Sequence, residues 1–151
     1  MSADFDKGWY FAYKIILYIY AVYQAITVVQ NLIALPNVTS GLGIYLLFII
    51  ENALILVFVV FEILAMKNKD VKKAKIALYG FAGYGVLVVL CLILVLVTGL
   101  DATTKAALMI GVIIDLVLFF VFIVFGAIQV YKALGGSVPA TANVYQAYQN
   151  A

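Results

Sequence analysis

The sequence predicts an all-α, polytopic membrane protein: four transmembrane helices in an up-down-up-down bundle, with both termini cytoplasmic. Three observations carry that expectation. Of the 151 residues, 68% are hydrophobic and only 11% charged, too little polar surface to clothe a water-soluble domain. Four apolar segments each exceed the ~20 residues that a helix needs to cross a ~30 Å hydrocarbon core. The lysines, finally, fall almost entirely on one side of those segments. A β-barrel would instead require many alternating segments of ~10 residues, and the chain has no such pattern.

The first segment runs from Trp9 to Leu35. It is too long for the apolar region of a signal peptide, contains Lys14 and lacks a small-x-small cleavage pattern before Pro36, so it is expected to stay as a signal anchor. The breakers Pro36 and Gly41 separate it from the second segment, Leu42 to Met66. A lysine-rich loop, Lys67 to Lys75, leads to the third, about 76–98. A second short loop, Gly99 to Lys105, leads to the fourth, about 106–133. Connections this short make successive helices antiparallel neighbours. Residues 1–134 thus read as one four-helix domain, and 135–151 as a short polar tail.

Orientation follows from the lysines. Lys7, Lys14, the five of the second connection and Lys132 share one side, and Lys105 alone occupies the other. Because positive residues stay cytoplasmic, both termini and the lysine-rich loop are assigned there. Trp9, Tyr10, Tyr13 and Tyr131 lie where an interfacial aromatic belt is expected. Asn37-Val38-Thr39 is a glycosylation sequon on the opposite side, in a loop short enough for the membrane to shield it from the transferase.

Composition also removes classes of chemistry. The chain has no histidine and a single cysteine, Cys91, so the commonest zinc ligand, an intrachain disulfide and a CxxC redox pair are all missing. No metal or cofactor is expected. All nine basic residues are lysine, with a net charge of +2 and no basic stripe outside one loop, which argues against nucleic acid as a partner. Lipid-modifying enzymes place His, Asp or Arg clusters at the interface, and this chain has neither His nor Arg; it is not expected to be an enzyme.

Helical periodicity sorts the polar residues by face. At about 100° per residue, spacings of 7 and 11 return to nearly the same direction. Tyr13, Tyr20, Gln24, Thr27 and Asn31 then form one stripe on the first helix. Ala77, Gly80, Tyr84, Cys91 and Thr98 form one on the third, and Gly111, Asp115, Phe122, Gly126 and Gln129 one on the fourth. Small and polar residues at this spacing suit close helix packing within a bilayer.

The second helix carries the least expected residues, Glu51 and Glu62, eleven positions apart and so on one face, with Asn52 about 100° away. An ionised carboxylate facing lipid near the bilayer centre costs at least ~2.5 kcal/mol, so this face should point into the bundle, a cavity or a partner. Glu62 lies near the cytoplasmic end, at the depth of Lys14, and an ion pair between them is available; the alternative has Lys14 snorkelling and Glu62 hydrated. Glu51 lies roughly 13 Å deep at ~1.5 Å per residue, level with Asp115. Facing carboxyls at that depth hold at least one proton and form a possible proton or cation site. The structural alternative is a neutral carboxyl bonded to Gln24, Thr27 or Tyr84, fixing helix register.

In the tail, Tyr145 and Tyr148 are candidate recognition residues for a partner, in a segment that otherwise reads as a flexible extension. The expected partners are the lipid bilayer and other membrane subunits or further copies of the chain. Two functions follow. One is assembly, as an accessory subunit or a self-associating, membrane-organising tetraspan; in topology the chain is similar to MARVEL-type vesicle and junction proteins. The other is a small transporter or proton- or cation-conducting unit built on Glu51 and Asp115.

Overall fold

The computed structural model of the protein describes residues 4–39, 42–97, 99 and 101–136, apart from the side chains of residues 44, 104, 107, 108 and 115. Helix α1 spans Gly8–Ala34 and runs into a 3-10 turn, Leu35–Asn37. Helices α2 (Leu42–Asn68) and α3 (Val71–Val97) follow. The last long helix has three parts: α4 (Ala102–Leu118), a π-helical stretch (Phe119–Val124) and α5 (Phe125–Ala133). Four helical stretches are long and apolar enough to cross a membrane: Gly8–Asn37, Tyr45–Asn68, Val71–Val97 and Met109–Ala133. An all-helical bundle with four such stretches fits a multi-pass membrane protein. The expected tail, with Tyr145 and Tyr148, lies outside the described residues.

The connection between α2 and α3 is shorter than the sequence suggests. Lysine is a good helix former, so α2 continues to Asn68 and α3 starts at Val71 instead of near residue 76. The chain turns at Lys69, whose φ of 51° is left-handed, and at Asp70, which caps α3. Asp70 Oδ1 accepts the amides of Lys72 (2.9 Å) and Lys73 (3.2 Å), and Oδ2 pairs with Lys73 Nζ at 2.6 Å. The Lys73 ammonium first, and then the amides, hold the Asp70 carboxyl below its ordinary value of 3.8. The cap therefore stays charged through neutral and mildly acidic pH, and is lost only as pH falls through that lowered value. At the end of α3, Lys105 Nζ donates to the Leu96 carbonyl at 3.1 Å, where a cation favours the helix dipole.

Packing is uneven along the bundle. Helix α2 lies against both α1 and α3, and α3 also meets the fourth helix. Among the described residues, a buried core cluster joins Phe5, Tyr13 and Leu17 to Ile55, Val59 and Met66 of α2, Ala74, Ala77 and Phe81 of α3, and Ala127 and Val130 of α5. Phe5 closes one end, edge-on to Tyr10 at 5.1 Å between ring centres. Two glycines permit the closest approaches: a Cβ added to Gly80 would overlap the Phe58 ring, and one added to Gly126 would overlap the Tyr13 ring. Gly111, expected on the same packing stripe as Gly126, has open space around it and is exposed. The reason is that α4 buries none of its described side chains. Close packing of the fourth helix begins only at Phe119.

Candidate intramembrane cavity

Where α4 ceases to pack, a partly open cavity of about 570 Å³ lies among the helices. Helix α1 contributes Tyr20, Tyr23 and Gln24; α2 contributes Phe48, Glu51 and Asn52; α3 contributes Tyr84 and Val88. From the fourth helix come Val112, Leu116 and Leu118, then Phe119, Phe122 and Ile123 of the π-helical stretch. Phe119 is buried and anchors the aromatic wall, with its ring centre 4.9 Å from Tyr84, 5.7 Å from Phe81 and 6.4 Å from Tyr20.

Of the residues expected at an intramembrane polar site, Gln24, Glu51, Asn52 and Tyr84 line this cavity. Glu51 is 6% exposed and Gln24 4%, and Glu51 Oε2 and Gln24 Oε1 each lie buried without a hydrogen-bond partner. Tyr84 and Cys91 of α3 stand beside Glu51. Asn52 Nδ2 donates to the Phe48 carbonyl of the preceding turn at 2.6 Å. Thr27 does not join the site: its hydroxyl donates to the Tyr23 carbonyl of the preceding turn at 3.0 Å. The backbone of Asp115 belongs to α4, between the cavity-lining Val112 and Leu116; its side chain lies outside the described residues.

A second buried polar group lies towards the tightly packed end. Glu62 is fully buried, and neither carboxyl oxygen has a hydrogen-bond partner. The expected Lys14–Glu62 pair is not formed; the Lys14 ammonium pairs with Asp6. Lys14 follows Tyr13 by one residue and so points about 100° away from the inward stripe of Tyr13, Leu17 and Gln24. Tyr13 is the residue that faces Glu62, but its hydroxyl donates to the Ile123 carbonyl at 3.0 Å. That acceptor belongs to the π-helical stretch, where the regular ladder is interrupted and a side-chain donor can satisfy a displaced carbonyl. Asn37, of the sequon, is exposed in the 3-10 turn after α1.

Sequence reasoning missed Tyr23 and Phe119 as cavity residues, because aromatics in an apolar span give no signal separating a wall from a lipid-facing surface; spacing placed Phe48 on the face of Glu51 and Phe122 on the fourth-helix stripe, but as packing residues only. It also read Cys91 only as packing, although Cys91 shares the third-helix stripe with Tyr84. The site and fold together define an all-helical protein with four candidate membrane spans and a polar cavity between them. None of the family models, curated proteins or solved structures compared with the chain matches it.

Proposed function

We propose that the chain is a non-enzymatic, multi-pass carrier that holds its cargo at Glu51, within a bundle running up-down-up-down with both termini cytoplasmic. The observation that carries this reading is the cavity itself, in which two buried oxygens, Glu51 Oε2 and Gln24 Oε1, have no partner from the chain. An unpaired buried acceptor costs about 1–3 kcal/mol, and intramembrane carboxyls are most often retained for a ligand or a proton. Lysine asymmetry supports the orientation. The Tyr45 hydroxyl near the start of α2, donating to the Asn31 carbonyl near the end of α1 at 3.2 Å, supports an antiparallel course of the two helices.

The test is proton flux through liposomes containing the purified protein and a pH-sensitive dye, under an imposed proton gradient, the proton being the simplest cation that the Glu51 carboxylate can bind. The expected result is a flux above that of protein-free vesicles, reduced at least tenfold by Glu51→Gln. Equal flux through the two proteins would defeat the carrier reading.

A second reading is assembly, with a partner subunit or a second copy lying against the fourth helix. It is favoured by one observation, that α4 buries none of its described side chains. Mass measurement of the detergent-solubilised native protein decides it: a stoichiometric complex is expected, and a monomer at all concentrations removes the reading.

A further inference from the structure

We infer that the cargo of this cavity is a lipophilic organic monocation, a single positive charge carried on an apolar body. The inference rests on the carrier reading and specifies its substrate class. Four properties of the cavity converge on it.

The first is charge. Among the described residues that line the cavity, Glu51 is the only ionisable carboxyl, and Gln24 Oε1 adds a neutral acceptor. One carboxylate in an apolar span balances one positive charge. The second is the kind of wall. Six aromatic side chains, Tyr20, Tyr23, Phe48, Tyr84, Phe119 and Phe122, surround these oxygens. Aromatic faces attract a cation and most of all a weakly hydrated one, while their area binds an apolar body.

The third is what the cavity cannot offer. Bare calcium takes six to eight oxygen ligands and magnesium demands a near-ideal octahedron. Here Glu51 is the one carboxyl among the described lining residues, and the described residues hold no group of three or more metal-ligating side chains. The fourth is size and access. A volume of about 570 Å³ is that of a site for a drug-sized molecule rather than for an ion. Tyr23, 59% exposed, and Phe122, 50% exposed, both line the cavity and also face outward, so its rim is continuous with the lipid-facing surface. A molecule dissolved in the bilayer reaches Glu51 from the side, without first crossing water.

The experiment uses the purified full chain in detergent micelles and two probes of similar shape, the tetraphenylphosphonium cation and neutral triphenylphosphine oxide, with binding measured by calorimetry. The cation is expected to bind stoichiometrically and at least tenfold more tightly than the neutral probe. Glu51→Gln should weaken the cation at least tenfold and change the neutral probe by less than twofold. Tyr23→Leu, a rim substitution that leaves the packed core untouched, should weaken the cation about threefold through loss of one aromatic face; it keeps the test valid if Glu51→Gln fails to fold. Neutral and cationic probes binding equally, with neither variant discriminating between them, would overturn the cation assignment and leave the cavity as a ligand site. Binding of neither probe would overturn the assignment and the carrier reading together.

Discussion

Gly126→Ala lowers the stability of the folded bundle by about 2–3 kcal/mol, although alanine is the better helix former. The two effects differ in size. Replacing glycine by alanine within a helix contributes roughly 1 kcal/mol in favour of the folded state. Against it stands an overlap of the new Cβ with the Tyr13 ring, and forcing extra volume into a packed core costs about 1–3 kcal/mol or somewhat more. Tyr13 has nowhere to retreat. It is 1% exposed, stacks on Trp9 at 5.3 Å between ring centres, and donates to the Ile123 carbonyl. Moving the ring breaks that bond and leaves a carbonyl unsatisfied in an apolar interior, a further penalty of about 1–3 kcal/mol. Gly83→Ala is the matched control: its Cβ would meet nothing within 4 Å, so the propensity gain should stand alone. Reversible unfolding in mixed micelles measures both. Variants of equal stability would show that Tyr13 does not hold the place given to it here.

The contrast between these two glycines shows what was legible in the sequence. Spacing identified the inward stripes of α1 and α3, and Tyr13, Gln24, Ala77, Gly80 and Cys91 are all buried along them. The same rule put Gly111 and Gly126 on one face, yet only Gly126 is packed. Periodicity gives the direction of a residue around its helix; whether a neighbour lies in that direction depends on how the helices diverge. The Lys14–Glu62 expectation failed by the converse route, because it matched depth along the bundle without matching direction, and with Tyr13 inward Lys14 was already committed elsewhere. The π-helical stretch left no trace, since Phe119 to Val124 contains neither proline nor glycine to mark an irregularity. Its partner, the Tyr13 hydroxyl, lies 110 positions away along the chain. For the cavity, spacing brought Gln24, Glu51 and Tyr84 to one place. That they surround a space instead of closing on one another follows from the loose packing of α4, a property of the assembled helices that no single segment encodes.

Glu62→Met raises the stability of the bundle by about 1–3 kcal/mol, the penalty attached to a buried polar group that lacks partners. Glu62 is 0% exposed and both of its oxygens are unpaired. Methionine has nearly the same length and adapts its shape to irregular surroundings, so the substitution removes the polar penalty without opening a cavity. Two neighbours could contradict this. Tyr13 faces the carboxyl, but its one proton is spent on Ile123; Lys14 has the charge, but pairs with Asp6. Glu62→Gln serves as the comparison, because it keeps the polar group and its volume and should recover little of the gain. Unfolding of the three proteins in the same micelles separates the outcomes. A methionine variant less stable than the native chain would mean that Glu62 is bonded after all, through a Tyr13 hydroxyl that turns from Ile123 towards the carboxyl. A methionine variant more stable than the native chain, with the liposome flux reduced, would mean that the chain keeps Glu62 at the expense of stability, as buried carboxyls in membrane spans are kept when they take part in the work of the protein.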